Sequence, residues 1–238
     1  MTQPRRTRDV SVERDVGLRF STKLRQWYRR NGRDLPWRRT RDAYRILVSE
    51  LMLQQTQVSR VVDYYAAFLE RFPTLGHVAR AEPARVMEAW DGLGYYARAR
   101  NLHRLAVTVT NGGRAPERAL PANVDELRDL PGIGAYTAGA VSSFAYERRA
   151  ALVDTNVARV LKRAFAPDLD LKTSAGQRAV WQLAESILPR TGRATWTHNQ
   201  ALMELGALVC TARAAHCERC PVRSLCRSAS KPGKVPSA

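Results

Sequence analysis

Four cysteines are the residues whose type and spacing most clearly indicate chemistry. Cys210, Cys217, Cys220 and Cys226 form a C-x6-C-x2-C-x5-C pattern, and no other cysteine occurs. Disulfide bonds would suit a secreted chain, but the first sixteen residues lack the apolar stretch of a secretory signal. Zinc sites usually have two close ligand pairs, so the irregular run favours one four-iron, four-sulfur (4Fe-4S) cluster, with zinc as the alternative.

Two glycines between helical segments form a second candidate site. Gly132 and Gly134 lie in the run from Leu130 to Thr137, where they let the backbone turn tightly and approach a ligand. The helix that follows presents unpaired N–H groups at its N-terminus, an arrangement that suits a phosphate. A plain turn between two helices is an equally common explanation of such a pair.

Two acidic residues could take part in acid–base chemistry. Asp154 is predicted to stand at a helix N-terminus, where the dipole and N–H groups would keep it ionised, and a plain N-cap is the alternative. Glu50 lies in an apolar run with Val48, Leu51 and Met52, where burial should raise its pKa and keep a proton available. A surface glutamate on an amphipathic helix is the alternative.

The elements that position these residues are predicted to be helices. Apolar residues recur at helical spacing, as at Val58, Val61 and Phe68, and strand-like alternation is scarce. Asn123 has a glutamate three residues later, which predicts a capped helix that runs to Leu130. We therefore predict an all-α fold of about ten short helices.

The charge balance indicates a polyanionic partner. The 238 residues include 39 Lys and Arg but only 22 Asp and Glu, which gives a net charge of +17. A basic enzyme whose charge only aids solubility is the alternative. No apolar run reaches the length of about twenty residues that a membrane-spanning helix needs, so no membrane partner is expected.

Several motifs resemble a family of DNA repair enzymes. The glycine-containing run followed by Asp154 is similar to the helix-hairpin-helix and aspartate of one DNA glycosylase superfamily, and the cysteine pattern is similar to its endonuclease III branch. Within that branch, three segments resemble the adenine-DNA glycosylase family called MutY, namely Leu35–Arg38, Val48–Val58 and Gly92–Asn101. The resemblance implies a helix-hairpin-helix glycosylase fold with a six-helix barrel and an iron-sulfur module.

The resemblance also implies a role for each acidic candidate. Release of a purine base needs a proton donor for the base and a negative charge near the sugar. Glu50 would be the donor, and Asp154, with Asn156 beside it, would stabilise the cation and help position water. Lyases of this branch carry a lysine where this chain has Tyr136, and a phenol cannot form an imine, so we expect a monofunctional glycosylase.

The remaining candidates would bind DNA, the flipped base or the cluster. Gln55 and Tyr95 match the residues that wedge into the duplex in the family. Trp37 could instead be a core residue, Glu204 could lie on a solvated helix face, and Arg38 could be one more basic residue. The full sets are Gln55, Tyr95, Gly132, Gly134 and Thr137 for DNA, Trp37, Arg38 and Glu204 for adenine, and Cys210, Cys217, Cys220 and Cys226 for the cluster.

The domain organisation is likewise an expectation from the resemblance. It comprises an N-terminal helix at 1–33 that packs with the cluster module, a six-helix barrel with the hairpin at 34–148, a helical iron-sulfur module at 149–227 and a flexible tail at 228–238. Because twelve residues follow Cys226, we expect a short form without the second domain that recognises 8-oxoguanine in full-length members.

The favoured function is excision of adenine mispaired with guanine or 8-oxoguanine in double-stranded DNA. We expect a cytoplasmic monomer that associates with the nucleoid through DNA. The first alternative is a thymine or uracil glycosylase acting opposite guanine. A non-catalytic cluster protein that binds DNA or senses redox state would be expected to lack Glu50 or Asp154, and a zinc-stabilised adaptor would be colourless.

Overall fold

The computed structural model describes residues 12–111 and 120–229. Within these residues there are eleven α-helices and no strand, apart from a single bridge between Cys210 and Ala215, so the predicted all-α fold is confirmed. The helices are α1 (Arg14–Asn31), α2 (Ala43–Leu53), α3 (Val58–Arg71), α4 (Leu75–Arg80), α5 (Pro83–Glu88), α6 (Ala97–Asn111), α7 (Val124–Arg128), α8 (Ala135–Tyr146), α9 (Thr155–Phe165), α10 (Ser174–Ser186) and α11 (Gly192–Leu208).

The helices form two compact units. One unit is Asp34–Arg148, in which α2 packs against α3 and α8 while α6 packs against α4 and α5. Its core includes Phe68 and Trp90, whose rings meet edge to face with centroids 5.5 Å apart. The other unit contains the described parts of Met1–Arg33 and Arg149–Ala238, and in it α11 packs against α1 and α9.

Side-chain caps fix where several helices begin. Asp42 accepts a hydrogen bond from the backbone amide of Arg45 at the start of α2, and threonines cap α10 and α11 in the same way. Asn123 caps α7 as the sequence predicts, but α7 ends at Arg128, two residues before Leu130. The shorter helix has a physical reason, because a proline at 131 disfavours the helical conformation of the residue before it.

The last C-terminal residues that are described are hydrogen-bonded to earlier residues. The backbone amide of Ser228 donates to the carbonyl of Arg163 on α9, and that of Ala229 donates to Cys226. The flexible tail at 228–238 stays a prediction, and residues 230–238 lie outside the described part. Within the described residues, no helix combines the length and apolar character needed to cross a membrane.

A buried histidine links α1 to α11. His198 has no solvent exposure, and its Nδ1 atom lies 2.9 Å from the hydroxyl oxygen of Ser21. Burial lowers the pKa of His198 to about 3, and the neighbouring positive charge of Arg25 acts in the same direction. The folded protein therefore holds this imidazole neutral at every pH above that value.

This depressed pKa predicts a loss of stability in acid. Between the ordinary histidine pKa of 6.5 and about 3, the unfolded chain binds a proton at His198 that the folded chain does not. The free energy of unfolding should therefore fall as the pH decreases through this window, by up to about 1.4 kcal/mol for each pH unit. Urea titrations of His198→Gln and the parent protein at pH 7 and pH 4.5 measure this contribution. The variant should lose less stability in acid, and equal losses in both proteins would contradict the prediction.

Candidate active site and cysteine loop

Glu50 lies in the C-terminal half of α2, the helix that packs against α8. Its exposed fraction is 3%, and its neighbours Val48, Leu51 and Met52 are also buried. The burial expected from the apolar run is thus observed, and a surface position for this glutamate is excluded. A carboxyl group in such surroundings is disfavoured in its charged form.

The hairpin between α7 and α8 places two glycines in different environments. Gly132 has a φ of 78°, and a Cβ added there would lie 2.5 Å from the Cβ of Asn101 on α6. Gly134 is the N-terminal cap residue of α8, with an ordinary φ of −89° and open space within 4 Å of an added Cβ. Gly132 is therefore required by the fold, whereas Gly134 leaves room for a ligand at the helix N-terminus.

Two further hairpin candidates follow at the start of α8. Tyr136 is half-buried. Thr137, which was expected among the DNA-binding residues, is only 2% exposed. Its hydroxyl oxygen accepts a hydrogen bond from the side-chain amide of Gln54 at 3.5 Å. The Thr137 side chain therefore contacts the loop that follows α2 rather than solvent.

Gln55 and Tyr95 come together on the surface of the same unit. Both residues are exposed, and they line one cavity of about 500 Å³. Both also have positive φ angles, 57° for Gln55 and 50° for Tyr95. Backbone of this kind is uncommon for residues other than glycine, so the two loops are held in specific conformations.

Asp154 caps α9 and begins a line of hydrogen bonds. One carboxylate oxygen accepts from the backbone amide of the third residue of α9, and the other accepts from the side-chain amide of Asn156 at 3.0 Å. The carbonyl oxygen of the Asn156 side chain in turn accepts from Arg159, which also donates to the backbone carbonyls of Gly206 and Cys210. The cap and the cysteine loop are thus connected within one unit.

Gly206 permits this close approach of α9 and α11. A Cβ added there would lie 2.7 Å from the Cβ of Asn156 and 3.1 Å from its backbone oxygen. Any larger residue would displace Asn156, which is hydrogen-bonded to Asp154. Gly206 is therefore a steric requirement of the Asp154 arrangement.

Of the three residues expected to bind adenine, Trp37 and Arg38 are adjacent, whereas Glu204 lies in α11. Trp37 is 6% exposed and meets the Tyr65 ring edge to face at 5.4 Å, while Arg38, beside it in the 3-10 helix Pro36–Arg38, is half-buried. Glu204 is fully buried in α11, which excludes the solvated helix face. Both of its carboxylate oxygens accept hydrogen bonds from Arg33 at 2.8–3.0 Å. Contact of these residues with a base stays a prediction.

The four cysteines line one cavity of about 540 Å³ in the loop after α11. None of the four forms a disulfide bond, and the Cys210 sulfur accepts a hydrogen bond from Arg163 at 3.3 Å. Burial, followed by the proximity of the other thiols, raises the pKa of Cys220 to about 11. Within residues 12–111 and 120–229, no group of three or more His, Cys, Asp or Glu side chains is arranged to hold a single metal ion.

Three arginines with structural importance were missed by the sequence analysis. Arg33, Arg98 and Arg159 each donate to partners far along the chain. Of the three, only the position of Arg98 could indicate burial from the sequence, because it shares a helical face with Leu102 and Leu105, which are fully buried. A charged residue on such a face has to find buried partners.

Comparison with known proteins identifies related chains. Residues 48–186 match the HhH-GPD superfamily of base excision DNA repair proteins. An adenine DNA glycosylase from Mycolicibacterium smegmatis is 48% identical over 86% of this chain, and one from Rattus norvegicus is 42% identical over 90%. Among solved structures, a thermostable thymine-DNA glycosylase has a TM-score of 0.79 at 31% identity, with 90% of this chain and 96% of that chain covered.

The lengths of these relatives differ from the length of this chain. The matched region spans 42% of the rat protein and 67% of the mycobacterial protein. The similarity to the two curated proteins therefore concerns one part of each.

The environments of the two hairpin glycines predict unequal effects of alanine on stability. Gly132→Ala should lower the free energy of unfolding by about 1–3 kcal/mol, because it adds both φ strain and a clash with Asn101. Gly134→Ala, the matched control, should change it by less than about 0.5 kcal/mol. Urea unfolding followed by circular dichroism measures both. Equal effects of the two substitutions would contradict this description of the hairpin.

Proposed function

This chain belongs to the HhH-GPD superfamily of base excision DNA repair proteins and, within it, to the adenine DNA glycosylase family, and on that basis we propose that it releases adenine from double-stranded DNA. The adenine it removes is mispaired with guanine or 8-oxoguanine, and one copy of the chain acts on the nucleoid DNA. The observation that carries this proposal is the burial of Glu50, a carboxyl group at 3% exposure among apolar neighbours.

Glu50 is the proposed general acid. Burial favours the protonated form of a carboxyl group, so a proton is available near neutral pH. Glu50 gives this proton to a ring nitrogen of adenine as the bond between the base and the sugar breaks. The bonding electron pair leaves with the base, which departs neutral, and the sugar becomes an oxocarbenium ion.

Asp154 is the proposed anion that stabilises this cation. Its two oxygens accept hydrogen bonds from an α9 backbone amide and from Asn156, which fix the orientation of the carboxylate. A water molecule then adds to the sugar carbon and gives up a proton to a carboxylate. The products are free adenine and an abasic site in an intact strand.

Tyr136 supports a monofunctional reaction. It stands in α8 at the position where lyases of the resembled branch carry a lysine. A phenol has no nitrogen with which to form an imine to the sugar, so the strand is not cut by the protein.

The proposed DNA contacts come from the hairpin and the two surface loops. The open N-terminus of α8 at Gly134 can accept a phosphate, which positions the duplex without reading its sequence. Gln55 and Tyr95, both exposed, enter the duplex and fill the space left by the flipped base. The net charge of +17 strengthens binding to the phosphates.

We also propose that Cys210, Cys217, Cys220 and Cys226 hold a 4Fe-4S cluster. Four cysteines that line one cavity are the kind of ligand set that a 4Fe-4S cluster takes. When bound, the cluster supplies four crosslinks within the loop and no group to base release.

A thymine glycosylase acting opposite guanine is the second candidate. It is favoured by the structural similarity to the thermostable thymine-DNA glycosylase, which this chain matches over almost all of that protein's length. The greater identity to the adenine glycosylases places this candidate second.

Single-turnover reactions with four duplexes distinguish the two candidates. The duplexes carry adenine opposite 8-oxoguanine, adenine opposite guanine, thymine opposite guanine, or uracil opposite guanine. We expect release of adenine, with the strand intact until alkali is added. Release of thymine or uracil without adenine would favour the second candidate, and strand cleavage without alkali would contradict the role given to Tyr136.

Glu50→Gln tests the general acid directly. The amide keeps the shape of the side chain but cannot supply the proton, so the rate constant of base release should fall by about 100- to 10,000-fold. Affinity for the duplex should be retained. Glu70→Gln, an exposed glutamate on α3, is the matched control and should be fully active. An active Glu50→Gln protein would remove Glu50 from this role.

The cluster proposal predicts a brown protein with about four iron and four sulfide ions per chain. Cys220→Ser should lose iron and visible absorption, whereas Ser224→Ala in the same loop should keep both. Metal analysis and visible spectroscopy of the purified protein provide the measurement. A colourless protein with one zinc ion per chain would contradict the proposal.

A further inference from the structure

The guanidinium group of Arg98 is buried at the start of α6, with 6% of the residue exposed. Its Nη1 atom donates to the backbone carbonyls of Leu51, Met52 and Gln54 at distances of 2.6–2.9 Å. Its other nitrogens donate to the carbonyls of three consecutive residues in the loop before α6, namely Leu93, Gly94 and Tyr95. A single side chain therefore joins the loop after α2 to the loop before α6.

Both loops carry a residue in an unfavourable backbone conformation. Gln55 and Tyr95 are two of the three described non-glycine residues with positive φ. A left-handed conformation costs about 1–2 kcal/mol for a residue with a side chain. Each of these residues lies in or directly beside a segment whose carbonyls accept from Arg98, so the contacts that Arg98 makes oppose the relaxation of both loops.

The chemistry of arginine suits this position. The last carbonyls of a helix have no partner within the helix, and a cation near them is favourable. Arg98 satisfies carbonyls at the end of α2 with a planar group that has five N–H donors. It also lies over the rings of Trp90 and Tyr95, at 5.6 Å and 5.5 Å from their centroids. A lysine could not reproduce this geometry, because its donors share one atom.

We propose that Arg98 is a positioning residue that holds Gln55 and Tyr95 together in the conformation in which they enter the duplex. This inference rests on the proposed function, in which these two residues fill the space of the flipped base. Arg98 itself touches neither the base nor the sugar. It keeps both loops ordered before DNA binds, so that the entropy cost of ordering them does not weaken insertion into the duplex.

Hydrogen exchange and base release on Arg98→Lys test this role. The variant keeps the charge and loses the fork of donors. Amide exchange should accelerate in residues 54–57 and 93–96 and stay unchanged in the helices of the same unit. Single-turnover release of adenine opposite 8-oxoguanine should slow by about 10- to 100-fold. Affinity for a fully matched duplex, which requires no insertion, should stay within about twofold.

Two further variants make the test decisive. Arg85→Lys, an exposed arginine on α5, is the matched control and should change none of these quantities. Thr56→Val removes the hydroxyl that accepts from Arg98 at 3.3 Å and that donates to the Gln54 carbonyl at 3.4 Å. Because Arg98 connects this hydroxyl to the loop before α6, amide exchange in residues 93–96 should accelerate, to a smaller extent than in Arg98→Lys. This variant decides the question if Arg98→Lys does not fold.

The outcomes separate this inference from the proposed function. Unchanged exchange in the two loops, or exchange that accelerates throughout the unit, would overturn the role given to Arg98. If the parent protein releases no adenine, the proposed function fails, and the exchange data still decide whether Arg98 orders the two loops.

Discussion

A polar group that is removed from water must find a partner, and in this protein the buried polar groups determine the conformations of the loops. Arg98 is buried among the backbone carbonyls of two loops. Glu204 is buried against Arg33, and Arg159 donates to carbonyls of α11 and of the cysteine loop. Each interaction is costly to leave incomplete, because an unpaired buried charge destabilises a fold by several kcal/mol. These hydrogen bonds therefore restrict the conformations of the loop segments that accept them.

The cysteine loop and the Asp154 cap depend on each other in this way. Arg159 donates both to Asn156, which is hydrogen-bonded to Asp154, and to the backbone of Cys210. Arg163 adds a second connection, from the same face of α9 to the Cys210 sulfur. Whatever orders the cysteine loop consequently also orders the helix that begins at Asp154. The cysteine loop is therefore connected to the Asp154 cap, although more than fifty residues of sequence separate Cys210 from Asp154.

Local sequence signals predicted much of the fold. The spacing of apolar residues indicated the helices, Asn123 indicated a helix start, and the burial of Glu50 followed from its neighbours. The partners of buried charges could not be predicted in this way, because they depend on contacts between distant segments. Arg33 and Glu204 are 171 residues apart, and nothing near either residue identifies the other. α7 ends earlier than its capping signal predicts because Pro131 disfavours the helical conformation of the residue before it.

The same limit applies to the candidate site. The resemblance to a family selected Gln55 and Tyr95, but only the backbone angles reveal that both are held in left-handed conformations. A crystal structure of Glu50→Gln bound to a duplex with adenine opposite 8-oxoguanine tests the whole account most directly. We expect adenine outside the helical stack with a ring nitrogen at the side chain of residue 50, and Gln55 and Tyr95 inside the duplex. Adenine that remains stacked, or an undistorted duplex bound away from these residues, would contradict it.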